Sequence, residues 1–102
     1  MEKRIITVAP TGSLPIKKMT PHVPITTQEI IETGLRCEAV GASVFHIHAR
    51  NPLEQSPSTE FSVFEEICNG LRKQSNLILQ ISTGGRAKMA YESRNERLAL
   101  RP

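Results

Sequence analysis

The chain contains no aspartate and no tryptophan, only two cysteines, and few aromatic residues of any kind. Each scarcity excludes something. Without aspartate, no Ser-His-Asp triad can be assembled within these 102 residues. The acidic side chains are all glutamates, and from Glu29 onward they fall in helical or polar loop segments, none at the end of a strand. Cys37 and Cys68 form no CxxC pair. Both occupy apolar-periodic positions of predicted helices and read as reduced core residues, unsuited to nucleophilic work. No segment approaches the roughly 18 apolar residues of a membrane span. The charged start and the short apolar run from Ile5 to Ala9 do not make a signal peptide, so a cytoplasmic location is expected. The net charge of +3 is mild. No basic run is interleaved with aromatics, which argues against a nucleic-acid surface, although the excess suits an anionic small molecule.

What the chain does have is an alternation of two periodicities. The run from Arg4 to Ala9 is β-branched and continuously apolar, as in a strand buried on both faces. It stops at Pro10-Thr11-Gly12. A proline-bearing loop follows to Pro24, long enough to expect either a functional role or disorder. Thr26-Thr27-Gln28-Glu29 spells a capping box, and Ile31, Leu35 and Ala39 continue it as an amphipathic helix over 27–40, with Gly41 as its terminator. Ser43 to Ala49 forms a second strand, broken by Asn51-Pro52 and a polar loop through Ser56-Pro57-Ser58. Phe64, Ile67, Cys68 and Leu71 mark a helix over 61–73, Leu77 to Ser82 a third strand, and Tyr91 to Leu100 a last, weakly amphipathic helix. The order β-α-β-α-β-α implies a parallel sheet with right-handed crossovers. Ligands of such folds bind at the carboxyl ends of the strands. Three strands leave two open edges, so the chain has the pattern of a piece of a larger sheet.

The residues that carry chemistry sit at those carboxyl ends. His46 and His48 lie two apart on one strand, hence on one face. Neutral imidazoles so placed suit zinc, provided a third ligand is found. The same pattern also fits a half-buried strand that happens to carry two histidines on its polar face. His22, from the long loop, is a candidate third ligand or simply a turn residue. Ser82-Thr83-Gly84-Gly85 ends a strand in a hydroxyl and exposes backbone N–H groups, either a nest for a carboxylate or phosphate or an ordinary turn. Arg50 directly follows the histidine strand and is placed to meet a substrate anion or a carboxylate, or to lie on the surface.

Four segments in order, Ile6-Thr7-Val8-Ala9-Pro10-Thr11-Gly12, Pro21-His22-Val23-Pro24-Ile25-Thr26, the run from Gly41 through His46 and His48 to Arg50, and Gln80-Ile81-Ser82-Thr83-Gly84-Gly85, together resemble the N-terminal part of the β-keto acid cleavage enzymes, the family of the 3-keto-5-aminohexanoate cleavage enzyme of lysine fermentation. The resemblance spans essentially the whole chain. It implies a (β/α)8 TIM barrel, of which residues 1–102 would be a truncated portion holding the first three β/α units, and full-length relatives that are homo-oligomers. It implies a zinc-dependent transferase that uses acetyl-CoA as co-substrate and cleaves a β-keto acid by a retro-Claisen step, giving acetoacetate and a new acyl-CoA. By the same resemblance His46 and His48 are zinc ligands, and Ser82 binds the keto-acid carboxylate with help from the backbone of Gly85. The remaining ligand, a glutamate, and the aspartate and arginine of proton transfer would lie beyond Pro102, leaving no catalytic residue within the chain and no activity expected of it alone. Leu14 and Pro15 occupy a loop that shapes substrate choice in the family, and Asn51 stands where many relatives have aspartate. The competing readings are another metal-dependent barrel of the amidohydrolase type, whose His-x-His normally ends the first strand and not the second, and a non-catalytic remnant.

Overall fold

The computed structural model describes residues 3–82. The helix expected over Tyr91 to Leu100, together with Thr83, Gly84 and Gly85, lies outside them. The architecture is α/β. Strands β1 (Thr7–Val8), β2 (Val44–Ile47) and β5 (Ile78–Ile81) form a parallel sheet in the order β1-β2-β5. Helix α1 (Thr27–Ala39) joins the first two strands, and α2 (Phe61–Gln74) precedes the third. Between β2 and α2 the chain makes a two-stranded antiparallel hairpin of β3 (Ala49–Arg50) and β4 (Pro57–Ser58).

The helices begin and end where local chemistry dictates. The Thr26 hydroxyl accepts the Glu29 N–H at 3.1 Å, and the Glu29 carboxylate accepts the Thr26 N–H at 3.1 Å, so two otherwise orphaned donors are satisfied reciprocally. At the other end Gly41 takes φ +112° and donates to Glu38 O at 3.0 Å, which turns the chain into β2 at no Cβ cost. Helix α2 lacks a side-chain cap at Glu60 and relies instead on its buried stripe of Phe64, Ile67, Cys68 and Leu71. Burial pushes the Cys68 thiol above its ordinary pKa, consistent with an inert core residue. Cys37, expected to be buried as well, is only half-buried, because it lines an open cavity on α1 with Thr33 and Arg36.

Both helices cover the same face of the sheet. Phe45, Ile47 and Ala49 pack with Ile30 and Ile31 of α1, the α2 stripe and Leu79 into one core. Close approach of the helices needs a missing side chain: a Cβ on Gly34 would stand 2.7 Å from Leu71 Cδ2. By alternation, the opposite face of β2 and β5 carries Val44, His46, Ile78 and Gln80, aligned by the pairs Val44↔Ile78 and His46↔Gln80.

Two expectations change. The first strand is not buried on both sides: Ile5 is 81% and Ile6 50% exposed. β1 lies at the edge of the described sheet, with β2 beside it on one side. The histidine strand is also shorter than the expected run to Ala49. The chain leaves the parallel sheet after Ile47, and Ala49 and Arg50 pair with Ser58 and Pro57, so the stretch read as a polar loop supplies a strand.

The long loop is ordered. The Thr11 hydroxyl donates to Pro24 O at 3.0 Å across its base, Val23 and Ile25 are buried, and the Lys17 ammonium reaches Glu29 at 2.5 Å. The Lys17 hydrogen bond, followed by the Thr26 N–H, holds the Glu29 carboxyl at a pKa of about 2, below its ordinary 4.5. A group depressed in the folded state stabilises fully above its unfolded pKa and loses that contribution as pH falls toward the folded one. Stability is therefore expected to decline between about pH 4.5 and about pH 2 in part through Glu29. Denaturant midpoints measured across that range should fall less steeply for Glu29→Gln than for the parent, and parallel slopes would exclude this linkage.

Candidate functional site

The site is assembled on the uncovered face of β2 and at the carboxyl edge of the sheet. His46 and His48 are both half-buried, with ring centroids 5.0 Å apart and planes at 64°. The strand alternation predicted this pairing, and it persists although His48 sits just past the end of β2. His46 Nδ1 lies 3.3 Å from Gln80 Oε1 on the neighbouring strand. With the amide oxygen of Gln80 facing the ring, the tautomer that makes this bond carries its proton on Nδ1 and keeps the Nε2 lone pair for another partner. That is the arrangement by which a neighbouring acceptor orients an imidazole for a metal.

Ser82 is nearly fully buried. Its N–H donates to Ile47 O at 3.0 Å, which extends the parallel ladder one bond past β5. The alternation Ile78, Gln80, Ser82 puts it on the histidine face, at the level of the residues that follow Ile47. Gly85 lies outside the described residues.

His22 does not join this pair. It lines an open cavity of about 680 Å³ on the flank of α1 with Thr33, Arg36 and Cys37. Among the described residues no group of three His, Cys, Asp or Glu side chains is placed to hold a metal.

Arg50 departs most from expectation. It is not a surface residue: it is 1% exposed. Its Nε and Nη2 donate to Gly12 O at 3.0 and 2.9 Å, and its Nη1 donates to Pro15 O and Gln55 O, both at 2.7 Å. The planar fork thereby ties the loop after β1 to the hairpin after β2. Asn51 is likewise occupied with the turn, its Oδ1 accepting from the N–H groups of Leu53 and Glu54 at 2.9 and 3.0 Å. An aspartate oxygen could accept the same two bonds, so asparagine here keeps the turn intact. Sequence reasoning missed Gln55, whose Oε1 accepts the Lys17 N–H at 2.7 Å. Only its neighbourhood to the turn-forming Asn51-Pro52 pointed that way.

Replacing Arg50 by methionine would strand the carbonyls of Gly12, Pro15 and Gln55 at about 1–3 kcal/mol for each that water cannot reach. An overall loss of about 3 kcal/mol is expected in chemical denaturation. Arg50→Lys should recover little, since a single ammonium cannot span the three acceptors. Near-parental stability of Arg50→Met would mean that water replaces the guanidinium freely.

Comparison with known proteins places this geometry in context. Residues 3–102 match the sequence profile of the β-keto acid cleavage enzyme family. The chain is 43% identical over 99 residues to a 3-oxoadipate:acetyl-CoA acetyltransferase of Cupriavidus necator, covering 96% of this chain and 34% of that protein. It is 34% identical over 92 residues to a 3,5-dioxohexanoate:acetyl-CoA acetone transferase of Paraburkholderia graminis, covering 90% of this chain and 30% of that protein. It is 34% identical over 103 aligned positions to a 3-keto-5-aminohexanoate cleavage enzyme of Acetoanaerobium sticklandii, covering all of this chain and 37% of that protein. The chain thus spans about a third of the length of these relatives. Among the described residues no helix is long and apolar enough to cross a membrane.

Proposed function

The chain belongs to the β-keto acid cleavage enzyme family, and from that premise we propose that it supplies the metal-binding and keto-acid-binding edge of a zinc-dependent (β/α)8 enzyme that transfers an acyl group from a β-keto acid to coenzyme A. In the proposed reaction the β-keto acid R–CO–CH2–COO⁻ and acetyl-CoA give acetoacetate and R–CO–SCoA. The α-carbon forms a new carbon–carbon bond to the acetyl group as the acetyl–sulfur bond of acetyl-CoA breaks, and the R–CO group passes to the released sulfur of coenzyme A as the bond between the keto carbon and its α-carbon breaks. The names of the relatives carry the substrate class only, since the keto acids they specify differ from one another.

The observation that carries this reading is the convergence of His46, His48 and Ser82 on one face and one edge of the sheet. His46 and His48 are the nitrogen ligands in this proposal, with Gln80 orienting the first through its Nδ1 contact. A zinc ion held there would supply Lewis-acid polarisation of a substrate carbonyl. Ser82, rigid because its backbone belongs to the ladder, orients the substrate carboxylate through its hydroxyl, and Gly85 adds a backbone donor. The loop from Pro10 to Pro24 and the β3–β4 hairpin wall the same edge. They leave Leu14 72% exposed on the loop, where it would meet the variable R group.

Zinc content separates the two roles. In the active enzyme, His46→Ala or His48→Ala is expected to lose most bound zinc by elemental analysis and nearly all turnover. Stoichiometric zinc in the double variant would overturn the ligand assignment. Ser82→Ala should keep its zinc and lose about tenfold or more in kcat/KM for the keto acid, as a hydrogen bond to a charged group is worth about 1.5–3 kcal/mol. An unchanged kcat/KM would reduce Ser82 to a turn residue.

A further inference from the structure

Gln55 is the last residue of the turn that closes the β3–β4 hairpin, and it takes the left-handed conformation there. Its φ is +62°, in the left-handed region where a Cβ crowds the following carbonyl. Glycine or asparagine would occupy this position more easily. The preceding turn is already made without the glutamine side chain: Asn51 Oδ1 holds the amides of Leu53 and Glu54, and Asn51 N–H donates to Ser56 O at 2.8 Å. What the conformation achieves is to point three polar groups of Gln55 in three directions. Its N–H donates to Asn51 O at 2.7 Å, its carbonyl accepts Arg50 Nη1 at 2.7 Å, and its Oε1 accepts the Lys17 N–H at 2.7 Å.

The loop facing Gln55 is held at several points. Gly12 O and Pro15 O are gripped by Arg50, and the Lys17 N–H is gripped by Gln55. On its far side the Lys17 ammonium bonds Glu29 and Pro21 O, which ties the same segment to the cap of α1. The arc 12–17 is therefore fastened at both ends, with Leu14 between the fastenings. Arg50 secures the first half. For the second half, Gln55 makes the tie to the hairpin.

We infer that Gln55 is a positioning residue: its side-chain oxygen, aimed by a left-handed backbone, locks the Lys17 end of the arc 12–17 to the β3–β4 hairpin and so, together with the Arg50 grip on Gly12 and Pro15, fixes the loop that carries Leu14 at the substrate edge. The substrate side of this role rests on the function proposed above, whereas the clamp does not.

Three variants separate the clamp from the turn. Gln55→Gly relieves the backbone and deletes the side chain. Gln55→Asn tolerates the left-handed region but is one methylene too short, and Gln55→Glu keeps both reach and an acceptor oxygen. By amide hydrogen exchange read by mass spectrometry, peptides spanning 12–20 should exchange about tenfold faster or more in the Gly and Asn variants. They should stay near the parental rate in the Glu variant, with segments 44–47 and 61–74 unchanged in all three. Unchanged exchange of the arc in Gln55→Gly overturns the clamp. So does equal acceleration in the core segments, which would make Gln55 a general stabiliser, and so does a Glu variant as fast as Gly. In the active enzyme, Gln55→Gly and Gln55→Asn are expected to raise KM for the β-keto acid about threefold or more with a smaller change in kcat. Faster arc exchange with unaltered KM overturns the substrate role. A parent protein that cleaves no β-keto acid would strike the proposed function and leave the clamp standing.

Discussion

A buried guanidinium organises the carboxyl edge of this sheet. The three backbone carbonyls that Arg50 grips belong to two loops that share no regular secondary structure, and burying a cation among them is tolerable only because its donors are engaged. Through it the loop after β1 takes a defined path, and Lys17 comes within reach of both Gln55 and Glu29. Remove that fork and, of the ties described between the loop and the hairpin, the bond from Lys17 N–H to Gln55 Oε1 is left.

The site itself follows from the two-residue period of β2. Phe45, Ile47 and Ala49 are committed to the helices, which forces His46 and His48 to the other face. The parallel register then brings Gln80 beside His46 and carries Ser82 along the same face. Neither helix touches substrate in the proposed mechanism. Their task is to bury one face of the sheet so firmly that the other face cannot rotate, and the tight fit of Gly34 against Leu71 shows how closely they are seated.

Family membership and site geometry support one another from different directions. The profile match bears on the reaction class, and the geometry bears on which side chains serve it. The hydrolase reading drawn from His-x-His alone has no support in the family match, which runs over residues 3–102 and takes in all four segments. Under the proposed function, the substrate's variable group would meet the loop carrying Leu14 and its constant carboxylate the end of β5, two different parts of the molecule.

Much of this was legible in the residues alone. The capping box of Thr26 and Glu29, the glycine exit at Gly41, the stripe of Phe64, Ile67, Cys68 and Leu71, and the shared face of His46 and His48 all depend on neighbours a few positions away, where helix and strand periods apply directly. The strand lengths, the half-buried Cys37 and the separation of His22 from the histidine pair were not legible, because each depends on what packs alongside. Least legible were Arg50 and Gln55. Arg50 bonds residues 35 and 38 positions upstream, and Gln55 bonds one 38 upstream, and no local pattern encodes such pairings. The sequence by itself determined the order of the elements and which face of β2 bears the imidazoles. Only the tertiary structure decided that the arginine beside them would be a brace for the loops, since hydrogen bonding of a buried cation is settled by which backbone carbonyls the fold delivers to it.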